Sequence, residues 1–149
     1  MFWKIGRVIL VLSLSVFMNL FNLAYAVEKL LPSCATVLTD TVTDNVPSVE
    51  KTTFTQDTGT IYLICKSDNV QKGQQIKVVW IAADTNGIAA ANYRMDEKIL
   101  EVPDNASKDN PWNATFSLEK PTAGWALGTY HVDLYEGDKL FKTVKFTIN

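Results

Sequence analysis

Apolar and polar residues alternate along most of this chain with a period of two. Side chains on a strand point to opposite faces in turn, so the pattern predicts strands with one buried and one solvated face. It runs through 60–66 (TIYLICK), with Ile61, Leu63 and Cys65 on one face. It recurs at 75–83, with Ile76, Val78, Trp80 and Ala82 inward, and at 114–120, with Ala114, Phe116 and Leu118 inward. Residues 129–136 bury Tyr130, Val132 and Leu134, and 140–148 set Leu140, Val144, Phe146 and Ile148 in register. Segments 35–42, 88–95 and 98–102 extend the set to seven or eight strands. Turn chemistry separates them: Asn86-Gly87, which tolerates positive φ, the hairpin pair Gly137-Asp138, and the polar loop 103–113 with its two prolines. No stretch has a helical period and none repeats. Strands that are apolar on one face must cover that face against another sheet, so the expected fold is an all-β antiparallel sandwich.

The first residues break the alternation. Lys4 and Arg7 precede a mostly apolar run, Val8 to Leu23, which ends in Ala24-Tyr25-Ala26. A basic head, an apolar middle and small residues two apart make a secretory signal peptide, which places residues 1–26 in a cleaved leader and 27–149 in a single domain. The run is short for a membrane span and contains Asn19 and Asn22, so no membrane insertion is expected after cleavage. Leu31-Pro32-Ser33-Cys34 keeps open an alternative, a lipid anchor on Cys34. Lys4 and Arg7 leave with the leader, so the formal charge moves from −2 to −4. A mildly acidic chain offers no footprint for nucleic acid.

Export changes the reading of the two cysteines. In an oxidising compartment Cys34 and Cys65, 31 residues apart, can form a disulfide worth ~3–4 kcal/mol in the chain-entropy model. Two free thiols are the other reading. No Cys-x-x-Cys and no nearby histidine suggest a metal, and no cofactor is expected.

The order of landmarks resembles the immunoglobulin-like β-sandwich. Cys65 faces inward on the second strand, and Trp80 faces inward on the third, 15 residues on. Tyr130 stands near the start of the sixth strand, where the family places its tyrosine corner. The family's second cysteine would fall two residues later, and here that residue is Val132. The sheet-to-sheet disulfide of antibody domains is therefore absent, and Cys65 pairs with Cys34 or stays free. The resemblance covers residues 34–149. The Gly128-Thr129-Tyr130-His131-Val132 step is similar to late strands of small immunoglobulin-like or fibronectin-like domains of bacterial envelope proteins. It implies that Tyr130 bonds a nearby backbone group and that Trp125 caps the sandwich beside Pro121. Gly124 and Gly128 would relieve the bend between strands.

Little else carries chemistry. His131, the single histidine, lies beside Asp133 with no positioned nucleophile. Asp104, Asn105, Asp109 and Asn110 cluster in one loop as turn formers do. The expected function is a small exported, non-enzymatic module that binds a protein partner, or an accessory of an envelope assembly in the periplasm or outside the cell. The alternative is a carbohydrate- or small-ligand-binding module using Trp112, Trp125 and Tyr93, since exposed aromatics stack on sugars.

Overall fold

In a computed structural model that describes residues 31–44 and 46–149, the alternating segments form strands, and no described residue is helical. The leader expected over 1–26 and its cleavage site lie outside these residues. The long strands are β1 (Ala35–Thr39), β5 (Thr60–Ser67), β6 (Gln75–Asp84), β7 (Tyr93–Glu101), β8 (Trp112–Glu119), β9 (Gly128–Glu136) and β10 (Lys139–Ile148). Three two-residue strands lie between β1 and β5: β2 (Val42–Thr43), β3 (Val46–Pro47) and β4 (Thr53–Phe54).

Two sheets face each other. One has the order β1-β5-β8 and the other β4-β10-β9-β6-β7, while β2 and β3 form a small separate hairpin. Long-strand neighbours are antiparallel. The β4–β10 pairing is parallel, with Phe54 opposite Ile148, which departs from the purely antiparallel expectation. It arises because the chain leaves β1 at the edge of one sheet and reaches the edge of the other through β2 and β3. That crossing ties together one side of the sandwich.

The inward residues are those the alternation marks. Ile61, Leu63 and Cys65 of β5 and Ile76, Val78 and Trp80 of β6 are buried in one core. Ala114, Phe116 and Leu118 of β8 join Tyr130, Val132 and Leu134 of β9 and Phe146 and Ile148 of β10 there. Fully burying one large apolar side chain stabilises by ~1.5–3 kcal/mol, which is what holds the sheets face to face. Trp80 lies edge-on to Phe146 with ring centres 6.2 Å apart. Its indole N–H is buried with no hydrogen-bond partner among the described residues. Val132 stands opposite Trp80 in the β6–β9 register.

Three details differ from the pattern-based expectation. Residues 88–92 are a loop and not the start of a strand. Tyr93 N–H closes a turn on the Ala90 carbonyl, and Asn92 takes φ 56°. Segments 88–95 and 98–102 therefore reduce to the single strand β7. Leu140 is exposed, because a bulge between Leu140 and Lys142 shifts the register of β10 and turns that side chain off the core face. Finally, β1 ends at Thr39, whose buried hydroxyl donates to the Thr41 carbonyl and draws the chain out of the sheet.

Cys34 is bonded to Cys65, with Cα atoms 5.2 Å apart. Thr36 is the partner of Cys65 across β1–β5, so the bond fastens the segment before β1 to its own sheet and does not cross between sheets. Asn69 holds the same segment by accepting from the Ser33 N–H at 2.9 Å. A lipid thioether on Cys34 would need the sulfur that this bond uses, which overturns the lipid-anchor alternative. Disulfides form and persist in oxidising compartments.

Candidate functional site at the loop end

The residues 120–128 that lead into β9 are held from three sides. The Tyr130 hydroxyl donates to the Ala126 carbonyl at 2.6 Å. Trp125 is 2% exposed, and its indole N–H donates to the Thr58 carbonyl at 2.6 Å. The Gln56 amide donates to the Trp125 carbonyl at 2.9 Å. The rings continue the hold inward. Trp125 lies edge-on to Tyr130 at 6.2 Å, Tyr130 stacks on Phe146 at 5.2 Å, and Phe54 meets Phe146 edge-on at 5.8 Å. Burial pushes the Tyr130 hydroxyl above its ordinary pKa.

Gly128 is where this loop meets the next. A Cβ there would overlap the Asp84 carbonyl oxygen and come within 2.9 Å of the Thr85 Cα. The bare backbone lets β9 touch the end of β6, and the Asn86 amide then donates to the Leu127 carbonyl at 3.2 Å. The loop 84–92 is itself ordered. Asn86 and Gly87 take φ 54° and 84°, and the Ile88 N–H closes their turn on the Thr85 carbonyl. The Thr85 hydroxyl accepts from the Ala89 N–H at 2.8 Å.

These bonds present apolar side chains to solvent. Ile88 is 78% exposed and Leu127 is 46% exposed, and Ala90 and Ala91 are exposed beside Ile88. A cleft of about 450 Å³ runs between the two loops, lined by Gln56, Thr85, Ile88, Ala123, Trp125 and Leu127. Neither 85–92 nor 121–127 contains a charged residue, in a chain where 20% of residues are charged. Ile88 and Leu127 thus stand exposed on loops that hydrogen bonds hold in place. The sequence carried the signal in Ile88-Ala89-Ala90-Ala91. A run of four apolar residues suits neither an alternating strand nor a solvated turn.

The aromatic shelf expected from Trp112, Trp125 and Tyr93 does not form. Trp112 is 7% exposed and lies opposite Ser67, at the other end of the β5–β8 pair from Glu119, and Trp125 is buried as described. Tyr93 alone is exposed, at 55%, on the edge strand β7. The two tryptophans fill the ends of the core, where period-two counting could not place them.

The outer face of β9 carries a separate polar group. Asp133 is buried there, accepting from the Thr143 hydroxyl at 2.6 Å and the Tyr135 hydroxyl at 3.3 Å. Burial and the neighbouring Asp133 carboxylate push the Tyr135 hydroxyl above its ordinary pKa. The His131 Nε2 lies 3.5 Å from the same carboxylate. The Thr143 hydroxyl is thus bonded to the acid and not to the histidine, so the group lacks a base-activated nucleophile. Among the described residues no three metal-binding side chains converge.

No protein-family model matches this chain, and no curated protein matches it. Its fold has a solved counterpart in an immunoglobulin-like protein from Pseudomonas aeruginosa. That crystal structure matches 82% of this chain and 99% of its own, with a TM-score of 0.52 at 11% sequence identity. At this identity the likeness is one of fold. The chain is an immunoglobulin-like β-sandwich with an internal disulfide.

Proposed function

We propose that this chain is a small exported, non-enzymatic binding module of the periplasm or extracellular space, and that its loop end docks a protein partner. The observation that carries the reading is the pairing of Ile88 with Leu127 across an uncharged cleft. Both side chains stand on loops fixed by hydrogen bonds, so little ordering entropy is lost on contact. An apolar centre with Asn86 and Gln56 in its lining has the composition of an interface core beside a polar rim. A sugar site would need exposed ring faces, and burial of Trp112 and Trp125 removes two of the three aromatics it would use.

The experiment is site-specific photo-crosslinking in the producing cell. A photo-reactive residue at 88 or 127 is expected to trap one discrete partner, while the same residue at 108, in the polar loop, traps none. No adduct at 88 and 127, or equal adducts at all three positions, overturns the reading.

A further inference from the structure

The sandwich is tied on one side by the β1-to-β4 crossing, and on the other side residues 102–111 join the end of β7 to the start of β8. On this second side β8 is the outer strand of its sheet and β7 the outer strand of the facing sheet. The β8 register runs without a shift from Thr60–Glu119 to Ser67–Trp112. Its sequence, WNATFSLE, has no proline or glycine and one charge, at its end. It thus lacks, along its length, the features that usually blunt an edge. Alternate N–H and C=O groups of an outer strand point away from its one neighbour.

The inner side of β7 is also uncovered. Asp96, Lys98 and Leu100 stand opposite Trp80, Val78 and Ile76 of β6. Those three β6 residues are fully buried, yet Asp96 and Lys98 are exposed. Strand β8 therefore does not reach over β7. The open space is a cleft of about 610 Å³ lined by Met95, Asp96, Lys98 and Leu100 on one wall and by residues 115–119 of β8 on the other. Neither Asp96 nor Lys98 forms an ion pair with a described residue.

We propose that the free edge of β8 takes up one extended segment of a partner polypeptide, which pairs with residues 115–119 and lies across the inner side of β7. Main-chain bonds to β8 would supply affinity, as in other strand additions. The cleft along those five residues is about 17 Å long, one short strand. Alternate inward side chains would cover Leu100 and Met95, and a base and an acid would answer Asp96 and Lys98. A second copy of this chain does not fit. Bringing β8 to β8 would drive the partner sandwich's own five-stranded sheet into the projecting β7. Inward-facing charges on an edge strand also discourage indiscriminate pairing, so they select which strand can enter. This site is separate from the loop end and stands whether or not that surface binds.

The test uses a phage-displayed library of random eight-residue peptides against the secreted, disulfide-bonded protein. Selected peptides are expected to alternate in hydropathy and carry one acid and one base. The bound peptide should slow amide exchange at residues 115–119 by tenfold or more and leave residues 84–92 unchanged. The double variant Asp96→Lys with Lys98→Asp, folded by its melting temperature, should select peptides of swapped charge. No selectable peptide, protection only at 84–92 and 120–128, or slowed exchange at 115–119 through dimerisation without peptide each overturns the proposal. So does a variant that selects the same peptides as the wild type.

Discussion

The Tyr130 hydroxyl reaches back four residues and donates to the Ala126 carbonyl at 2.6 Å, which fixes the loop that carries Leu127. Tyr130→Phe keeps the ring on Phe146 and leaves that carbonyl without its donor. The expected loss is about 1–3 kcal/mol, read from the denaturant midpoint at an unchanged slope. A wild-type midpoint would mean that water replaces the hydroxyl without loss.

The same hydroxyl makes stability sensitive to alkali. Burial raises Tyr130 above its ordinary value of 10.0, and burial with the Asp133 carboxylate raises Tyr135. The folded chain holds these protons longer than the unfolded one. The stabilisation is complete below the unfolded value, and stability falls as the pH rises above about 10 toward the folded values. Tyr130→Phe should flatten part of the decline and Tyr135→Phe another part. A decline of the same steepness in both variants would assign it to other groups.

Gly128→Ala should cost at least ~1–3 kcal/mol, because an added methyl meets the Asp84 carbonyl and forces the two loops apart. Gly59→Ala is the control. Its Cβ would meet nothing within 4 Å and its φ is not positive, so its melting temperature should match the wild type. Equal effects from the two substitutions would show that the β9–β6 approach can relax.

The architecture was legible in the sequence where burial is one-sided. Ile61, Leu63 and Cys65, or Tyr130, Val132 and Leu134, declare a strand because every second residue leaves water. The same rule fails where the backbone leaves the strand geometry. The bulge at Leu140 and the positive φ at Asn92 are backbone events, and period-two counting cannot register them. Trp112 and Trp125 look alike to any exposure argument made from composition. Their burial depends on which loops fold over the ends of the sheets. The loop 88–91 escapes the same count, because an unbroken run of four apolar residues has no alternation to follow and its turns are set by the positive φ at Asn86 and Asn92.

The Cys34–Cys65 bond closes a loop with a sequence separation of 31, and its removal is expected to cost ~3–4 kcal/mol. Reductant should lower the melting temperature of the wild type and leave that of the Cys34→Ala, Cys65→Ala double variant unchanged. Thiol labelling of unfolded, unreduced protein should find no free sulfur. Two labelled cysteines per chain would contradict the bond.

The last expectation separates holding the site from being the site. Trp125 is buried, bonds the Thr58 carbonyl and leans on Tyr130, so Trp125→Ala removes a packed ring and should cost ~3–5 kcal/mol. Ile88 and Leu127 are exposed, so Ile88→Asp and Leu127→Asp should shift stability by no more than ~0.5 kcal/mol each. If the loop end docks a protein, these two variants abolish the cross-link at a wild-type melting temperature. Trp125→Ala instead lowers the melting temperature and retains capture in the fraction that stays folded. The reverse outcome, a stable Trp125→Ala that has lost its partner and aspartate variants that still bind, would move the contact surface from the loop tips to the indole.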